Sequence, residues 1–310
     1  MNKIVTIIGP TASGKTSLAI RLAKKLNAEV IGLDSRQIYK GMKIGTAQPS
    51  KIEMAGINHH LIGFQDPAKP ISAGEYGAMV KETIKDIQGN GKIPIICGGA
   101  GLYYRAISKG IFKESVSNLP IRGRLEKLYD DNPILLTERL KKIDPKYSEI
   151  VHINNKKRLI RALEIFEATG KSPSEHFQNQ KSKFSNQLNL FTILLNWERD
   201  DLNNRIVKRT KKMFKDGWIN EAKLLFEAQE KGGTVFPALD SIGYRQIFHH
   251  LKGTMTFEEV YEDIIIKTRQ FSRRQIQWFK KEPIDLFIDM NNIGCEKLDE
   301  ILYCFLIPLI

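Results

Sequence analysis

The stretch Lys3-Ile-Val-Thr-Ile-Ile-Gly9-Pro-Thr-Ala-Ser-Gly14-Lys15-Thr16 decides the fold. Its first part is a short β-branched run ending in a glycine, the pattern of a buried parallel strand. Gly9 to Thr16 then fits the phosphate-loop pattern G-x-x-x-x-G-K-[ST]. Directly after it, Leu18, Ala19, Leu22, Ala23 and Leu26 recur at helical spacing. Strand, glycine loop and helix in that order are the context the pattern requires. The glycines let the backbone curl so that successive N–H groups face phosphate oxygens, and the helix start adds partial positive charge. Lys15 brings a full charge, and the Thr16 hydroxyl can ligate Mg²⁺. Gly9, Thr11, Ala12, Ser13, Gly14, Lys15 and Thr16 are therefore the candidate diphosphate-binding residues.

Outward from the loop, Glu29–Leu33 reads as a second strand ending at Asp34. Glu75–Ile87 is helical, and Lys92–Cys97 is a third strand that runs into Gly98-Gly99-Ala100-Gly101. Strands alternating with helices imply parallel βαβ units with right-handed crossovers. Between residues 115 and 188 the texture is helical only, with patterns at Arg122–Tyr129, Ile134–Lys142 and Lys156–Thr169. Strand texture returns at Asn189–Trp197, followed by helix-rich Asp201–Glu230, a helix over Phe257–Phe279 and a strand-like Asp285–Asp289. The expected fold is α/β: a P-loop NTPase-like parallel sheet core over residues 1–114 and 189–310, with an inserted helical domain over 115–188. The apolar tail Ile301–Ile310 reads as a segment docked on a core or on a partner chain.

At roughly 100–200 residues per domain, 310 residues fit two domains or one domain with an insertion. The 42% apolar and 27% charged fractions are those of a soluble globular protein. No run reaches the roughly 20 apolar residues of a membrane helix, and the N-terminus lacks the apolar core and cleavage site of a signal peptide. Three cysteines are too few and too scattered for a disulfide framework or a Cys-rich zinc module, so a reduced, cytoplasmic setting is expected. Forty-eight Lys and Arg against 35 Asp and Glu leave a net charge of +13, which favours a polyanionic partner such as nucleic acid.

A phosphate loop first points to an NTPase or kinase, which also carries an apolar strand ending in a metal-holding acid. Here the strand Ile93–Cys97 runs into Gly98-Gly99, and the carboxylate placed at a strand end near the loop is Asp34. Phosphoryl transfer loses support on that count. Arg205 and Arg209 share a helix face at i, i+4 spacing, and their planar forks suit phosphate oxygens. The alternative for each is a solvated basic face. Arg269 and Arg273 stand behind them as further candidates.

The residues resemble the tRNA dimethylallyltransferases. The likeness rests on Gly9–Thr16 (GPTASGKT), Asp34-Ser-Arg-Gln-Ile-Tyr39, Gly45-Thr-Ala47, His59-His60-Leu-Ile62, Asp66-Pro67 and Gly98-Gly-Ala-Gly-Leu-Tyr103. It continues through Lys157-Arg-Leu-Ile-Arg-Ala-Leu-Glu164, Thr169-Gly170, Gly217-Trp218 with Glu221, Ile242-Gly-Tyr-Arg245 and Thr268–Gln275 with Trp278-Phe279. The ordered combination spans about residues 4–280. The resemblance implies transfer of a dimethylallyl group from dimethylallyl diphosphate to the exocyclic amine of the adenosine 3′ of the anticodon, in tRNAs reading codons that begin with U. It also implies an inserted domain that grips the anticodon stem-loop.

By position and by resemblance, Asp34 is the candidate base, its alternative being a turn or N-cap carboxylate. Lys15 and, by resemblance, Arg209 complete the expected catalytic set. The resemblance puts Ser35, Arg36, Gln37 and Ala100 near the target base, and Arg158, Leu159, Ile160, Arg161 and Ala162 against the loop; Arg122 is a further candidate. Three positions depart from the family pattern: Ala100 stands where Thr is usual, Asn58 where Pro is common and Gly63 where Asp is common. Ala100 has no hydroxyl to help position the reacting amine. Adjacent His59 and His60 point to opposite sides of an extended segment, which argues against a metal site. Tyr244 and Arg245 offer an aromatic and a cation for base stacking. The expected partners are tRNA, dimethylallyl diphosphate and Mg²⁺, with no membrane and a monomeric chain. The competing readings are an isopentenyltransferase using free adenine nucleotide, a phosphate-loop small-molecule kinase and a non-catalytic RNA-binding protein.

Overall fold

The computed structural model describes residues 3–110, 118–181 and 187–310. The chain divides into two compact units, one of Met1–Ser108 with Leu188–Ile310, the other of Lys109–Gln187. Residue 115, the expected start of the insertion, lies outside the described residues.

The larger unit is built on six parallel strands: β1 (Ile4–Ile8), β2 (Ala28–Leu33), β3 (His59–His60), β4 (Ile93–Gly98), β5 (Leu190–Asn196) and β6 (Leu286–Asp289). Their order across the sheet is β3-β2-β4-β1-β5-β6. Side chains of period two divide between two cores, as a parallel sheet covered on both faces requires. Val5, Ile7, Val30, Ile95, Cys97, Ile193 and Leu195 pack on one face. Ile4, Ile8, Ile31, Leu33, Ile96 and Leu194 pack on the other. The register pairs Ile8 with both Gly98 and Leu194, and Leu33 with Gly98. The chain therefore leaves β1, β2, β4 and β5 side by side at one edge, where α/β folds bind their ligands.

The helix after the phosphate loop, Lys15–Leu26, buries Leu18, Ala19, Leu22, Ala23 and Leu26 against the first of these cores. The helix-rich stretch at Asp201–Glu230 is two helices, Arg199–Lys215 and Trp218–Gly232, broken at Gly217 with φ of 98°. The apolar tail forms a helix, Cys295–Leu306, and a turn, Ile307–Leu309. Leu298, Leu302 and Leu306 insert into the core of this same chain, which settles what the tail docks on. His59 and His60 form the short edge strand. His60 Nε2 lies 2.6 Å from Glu29 Oε2, and Glu29 also accepts from Lys92 and Asn58. The described residues contain no group of three or more His, Cys, Asp or Glu fit for a metal.

The smaller unit is helical among its described residues: Leu119–Asp131, Pro133–Ile143, Pro145–Ser148, Lys156–Thr169 and Pro173–Lys181. Asn118, Asn132, Asp144 and Asn155 accept backbone N–H groups at the starts of the first four. Gly170, with φ of 71°, ends the fourth. Leu125, Leu136, Leu140, Val151, Leu159, Ile160, Ala162 and Leu163 make the core.

Leu302 is 1% exposed. Leu302→Ala is expected to cost the larger unit about 2–5 kcal/mol through lost burial and a residual cavity. The measurement is the urea midpoint, and an unshifted midpoint would show that the C-terminal helix does not seal this core.

Candidate active site

The phosphate loop joins β1 to the helix Lys15–Leu26. Gly9, at φ of 153°, passes so close to β5 that a Cβ there would meet the Leu195 carbonyl oxygen at 2.8 Å. Gly14 starts the helix in a left-handed conformation with no side-chain cap, so the N–H groups of the first turn are left for a ligand. Lys15 Nζ donates to the Pro10 carbonyl at 2.5 Å and lies 3.4 Å from Ser13 Oγ. Burial brings the Lys15 pKa down to about 8; Arg209 pushes the same way, while Cys97 and Asp34 oppose it.

Both expected arginines reach the loop from the helix Arg199–Lys215. Arg205 Nε donates to the Ala12 carbonyl at 2.7 Å, and its guanidinium stacks on Trp197 at 4.2 Å. Arg209 Nη1 donates to Thr11 Oγ1 at 3.0 Å. Burial lowers the Arg209 pKa, with Asp34 and Glu53 opposing. Two residues without a sequence signal for this role brace the loop as well. Trp197 Nε1 donates to the Ser13 carbonyl at 2.9 Å, and Gln275 Oε1 accepts from Thr11 N at 2.8 Å. Arg269 and Arg273 are exposed.

Asp34 follows β2 directly, and its charge acts on both Lys15 and Arg209. Oδ1 accepts from the backbone N–H groups of Arg36 at 2.8 Å and Gln37 at 3.3 Å, so the turn-carboxylate alternative is realised by one oxygen. Among the described residues, Oδ2 accepts no hydrogen bond. At the end of β4, burial pushes the Cys97 thiol up to about 12. The position where many phosphate-loop enzymes carry an acid is thus neutral, beside Thr16 and Lys15. Ala100 is half-buried, and its backbone N–H donates to the Leu33 carbonyl at 3.0 Å. The turn that lacks a threonine hydroxyl still tethers the residue before Asp34.

The strip after Asp34 is held from within the chain. Ser35 is exposed, but the other two polar side chains serve internal carbonyls. Arg36 donates to Ala238 at 3.3 Å and Asp240 at 3.2 Å, and Gln37 Nε2 to Thr46 at 3.1 Å and Ala47 at 3.0 Å. Several scattered motifs turn out to be one packing node behind this strip. A Cβ on Gly45 would lie 2.0 Å from Trp218 Nε1, and one on Gly243 1.9 Å from Trp218 Cζ2. Glu221 accepts from Ile44 N at 2.7 Å, Gly45 N at 2.9 Å and Tyr244 Oη at 2.6 Å. Tyr244 is fully buried there, which corrects the expectation of base stacking.

In the smaller unit, Arg122 and Arg161 are bound to Glu164, which is 0% exposed. The side chains of Leu159, Ile160 and Ala162 fill the core of this unit. Arg158 is exposed at the first turn of its helix.

A parallel sheet with a phosphate loop, with Lys15, Arg205 and Arg209 clustered on that loop and Asp34 at the end of β2, defines an α/β phosphate-loop protein. The sequence profile of the family IPP transferase matches residues 37–282, and the chain belongs to that family, the tRNA dimethylallyltransferases, as a prenyl-transferring enzyme. The chain is 39% identical over 304 residues to a tRNA dimethylallyltransferase of Anoxybacillus flavithermus, covering 97% of this chain and 95% of that one. The crystal structure of the full-length tRNA isopentenylpyrophosphate transferase from Bacillus halodurans aligns over 99% of this chain and 96% of its own, with a TM-score of 0.72 and 35% identity. A eukaryotic dimethylallyltransferase acting on tRNA aligns over 99% of this chain and 80% of its own, with a TM-score of 0.85 and 28% identity. No described helix is long and apolar enough to cross a membrane.

The ordinary lysine value of 10.5 exceeds the folded Lys15 value of about 8, so between the two only the unfolded chain holds the proton. The charged group therefore costs stability at neutral pH, and the cost is relieved as pH rises through that window. A polyanion beside Lys15 reverses the shift. Pyrophosphate binding at pH 9 is expected to take up a proton, giving a calorimetric heat that varies with the buffer's ionisation enthalpy. Lys15→Met is expected to abolish the variation; a buffer-independent heat for the unmodified protein would contradict it.

Proposed function

We propose that this chain transfers the dimethylallyl group of dimethylallyl diphosphate to the exocyclic amine of the adenosine immediately 3′ of the anticodon, in tRNAs reading codons that begin with U. The observation that carries this reading is the Asp34 carboxylate directly after β2, whose charge acts on Lys15 and Arg209 of the phosphate site. An adenine amine is a poor nucleophile because its lone pair is delocalised into the ring. As its nitrogen bonds to the first carbon of the dimethylallyl group, the amine becomes acidic, and Asp34 Oδ2 takes the proton. The carbon–oxygen bond breaks in the same displacement, and the electron pair leaves with diphosphate.

The loop residues Gly9, Thr11, Ala12, Ser13 and Gly14, together with Lys15, Arg205 and Arg209, meet the charge that grows on that leaving group. Preorganised donors of this kind contribute roughly 3–4 kcal/mol each. A neutral Cys97 keeps competing negative charge away. The Thr16 hydroxyl, half-buried in the first helical turn, fits Mg²⁺, which takes one or two protein ligands and shares the substrate's phosphate oxygens. Bound there, Mg²⁺ would supply further charge neutralisation.

A target base inside an anticodon loop has to be extruded at a cost of a few kcal/mol. Ser35 and the backbone around Arg36, Gln37 and Ala100 border Asp34 and so face the extruded base. Arg158 is the residue of its stretch best exposed to reach RNA, while Arg122 and Arg161 act through Glu164 to hold the helix that presents it. Phosphate contacts by such residues make affinity fall steeply with salt. The protein acts as a monomer on cytoplasmic tRNA in this reading.

Labelled dimethylallyl diphosphate, Mg²⁺ and either tRNA or AMP distinguish the readings. Label in tRNA is expected; label in AMP alone would favour a free-nucleotide enzyme, and label in neither would sink both. Asp34→Ala is expected to abolish most transfer while tRNA affinity stays near that of the unmodified protein. Parallel loss of binding would make Asp34 a positioning group instead. Arg158→Ala is expected to weaken tRNA binding and leave pyrophosphate affinity unchanged, and an unaltered tRNA dissociation constant would remove Arg158 from the grip.

A further inference from the structure

Gln275, 7% exposed on the helix Phe257–Phe279, touches two loops that come from different strands. Its Oε1 accepts the Thr11 N–H at 2.8 Å, and its Nε2 donates to the Gly99 carbonyl at 2.9 Å. Only this orientation of the carboxamide satisfies both partners, since one backbone group donates and the other accepts. The fit is close: a Cβ on Gly99 would lie 2.4 Å from Gln275 Nε2.

Each end of the carboxamide leads to a different half of the site. On one side, Thr11 Oγ1 accepts from Arg209 Nη1 at 3.0 Å, within the diphosphate cradle. On the other, Gly99 precedes Ala100, whose N–H holds the Leu33 carbonyl at 3.0 Å, one residue before Asp34. A Cβ on Gly98 would lie 2.1 Å from that same carbonyl oxygen, so the turn and the end of β2 are in direct backbone contact. Arg209, Thr11, Gln275, Gly99, Ala100 and Leu33 thus form a continuous chain of links from cradle to carboxylate.

We propose that Gln275 is a positioning residue for the transfer step, fixing the separation between the departing diphosphate and Asp34. This inference rests on the prenyl-transfer reading above. In a displacement at carbon the reacting atoms are held about 3–3.5 Å apart, and a misplacement of about 1 Å costs on the order of 10²-fold in rate. Both halves of the site belong to different strands and are joined at their loops by this carboxamide. Removing it leaves each half intact and loosens the distance between them.

The test uses the full chain and two variants, Gln275→Met and Gln275→Glu. Met keeps the approximate volume and removes both hydrogen bonds. Glu keeps an acceptor for the Thr11 N–H and sets a second oxygen against the Gly99 carbonyl. For both, kcat of dimethylallyl transfer to tRNA is expected to fall at least about tenfold, with pyrophosphate and tRNA dissociation constants within about threefold. A residue that merely supported the loop would lower pyrophosphate affinity and kcat together, and that result would overturn the proposal. So would wild-type kcat in either variant. Should the Met variant fail to fold, the Glu variant carries the same test. An unmodified protein that transfers nothing would defeat the functional reading and this inference with it, whereas equal activity in unmodified and Gln275→Met protein would defeat this inference alone.

Discussion

Two cations packed together and shielded from water raise each other's free energy, and Lys15 and Arg209 are held in that state. Burial lowers both of their pKa values, and the Arg209 charge adds to the lowering at Lys15. Asp34 offsets some of this with a single negative charge, but a polyanion would offset far more. The remaining architecture keeps the cations from relaxing into solvent. Arg209 is fixed on Thr11, Arg205 on Ala12 and Trp197, and the loop itself is held by Trp197 and Gln275. Charge stabilisation that is already oriented needs no reorganisation when a leaving group forms, which is where such sites derive their catalytic effect.

The base side of the site is held by a different means. The strip after Asp34 is tied down through backbone groups: Arg36 and Gln37 bond carbonyls, and Glu221 takes the Ile44 and Gly45 N–H groups. Trp218 fills the space that Gly45 and Gly243 leave open. Polar side chains that look like substrate contacts are thus part of the support that positions one carboxylate. Buried donors and acceptors of this kind have to be matched, and a strip of loop beside an active site can be rigid only if they are.

The smaller unit solves a similar problem with charge. Glu164 is fully buried between Arg122 and Arg161 and accepts the Asn118 N–H at 2.8 Å. Those bonds, led by the Arg161 and Arg122 hydrogen bonds, hold its pKa below the usual carboxylate value despite burial. A buried carboxylate is tolerated only when paired in this way, and removing one partner is strongly destabilising. Arg122 thereby fixes the start of one helix against the middle of another, Arg161 braces Glu164 from within its own helix, and Lys157 and Arg158 are left exposed.

The local features of the fold were legible in order along the chain. Strand, phosphate loop and helix at Lys3–Leu26, the ends of β2 and β4, and the helical pattern at Lys156–Thr169 follow from side-chain period and from glycine conformation, which act over a few residues. The pairing of Arg205 and Arg209 on one helix face was legible for the same reason. Gln275, Trp197 and the Glu221–Trp218–Tyr244 node were not, because their partners lie far away in sequence and the bonds run to backbone atoms that carry no residue signature. The burial of Leu159, Ile160 and Ala162 and the pairing of Arg122 and Arg161 with Glu164 were not legible either: a charge or an apolar residue on a helix declares its chemistry, but not which side faces the core. Sequence alone determined which groups could bind a phosphate and take a proton. Tertiary structure decided which of them are spent on holding the others in place, since that depends on distances the chain acquires only by folding.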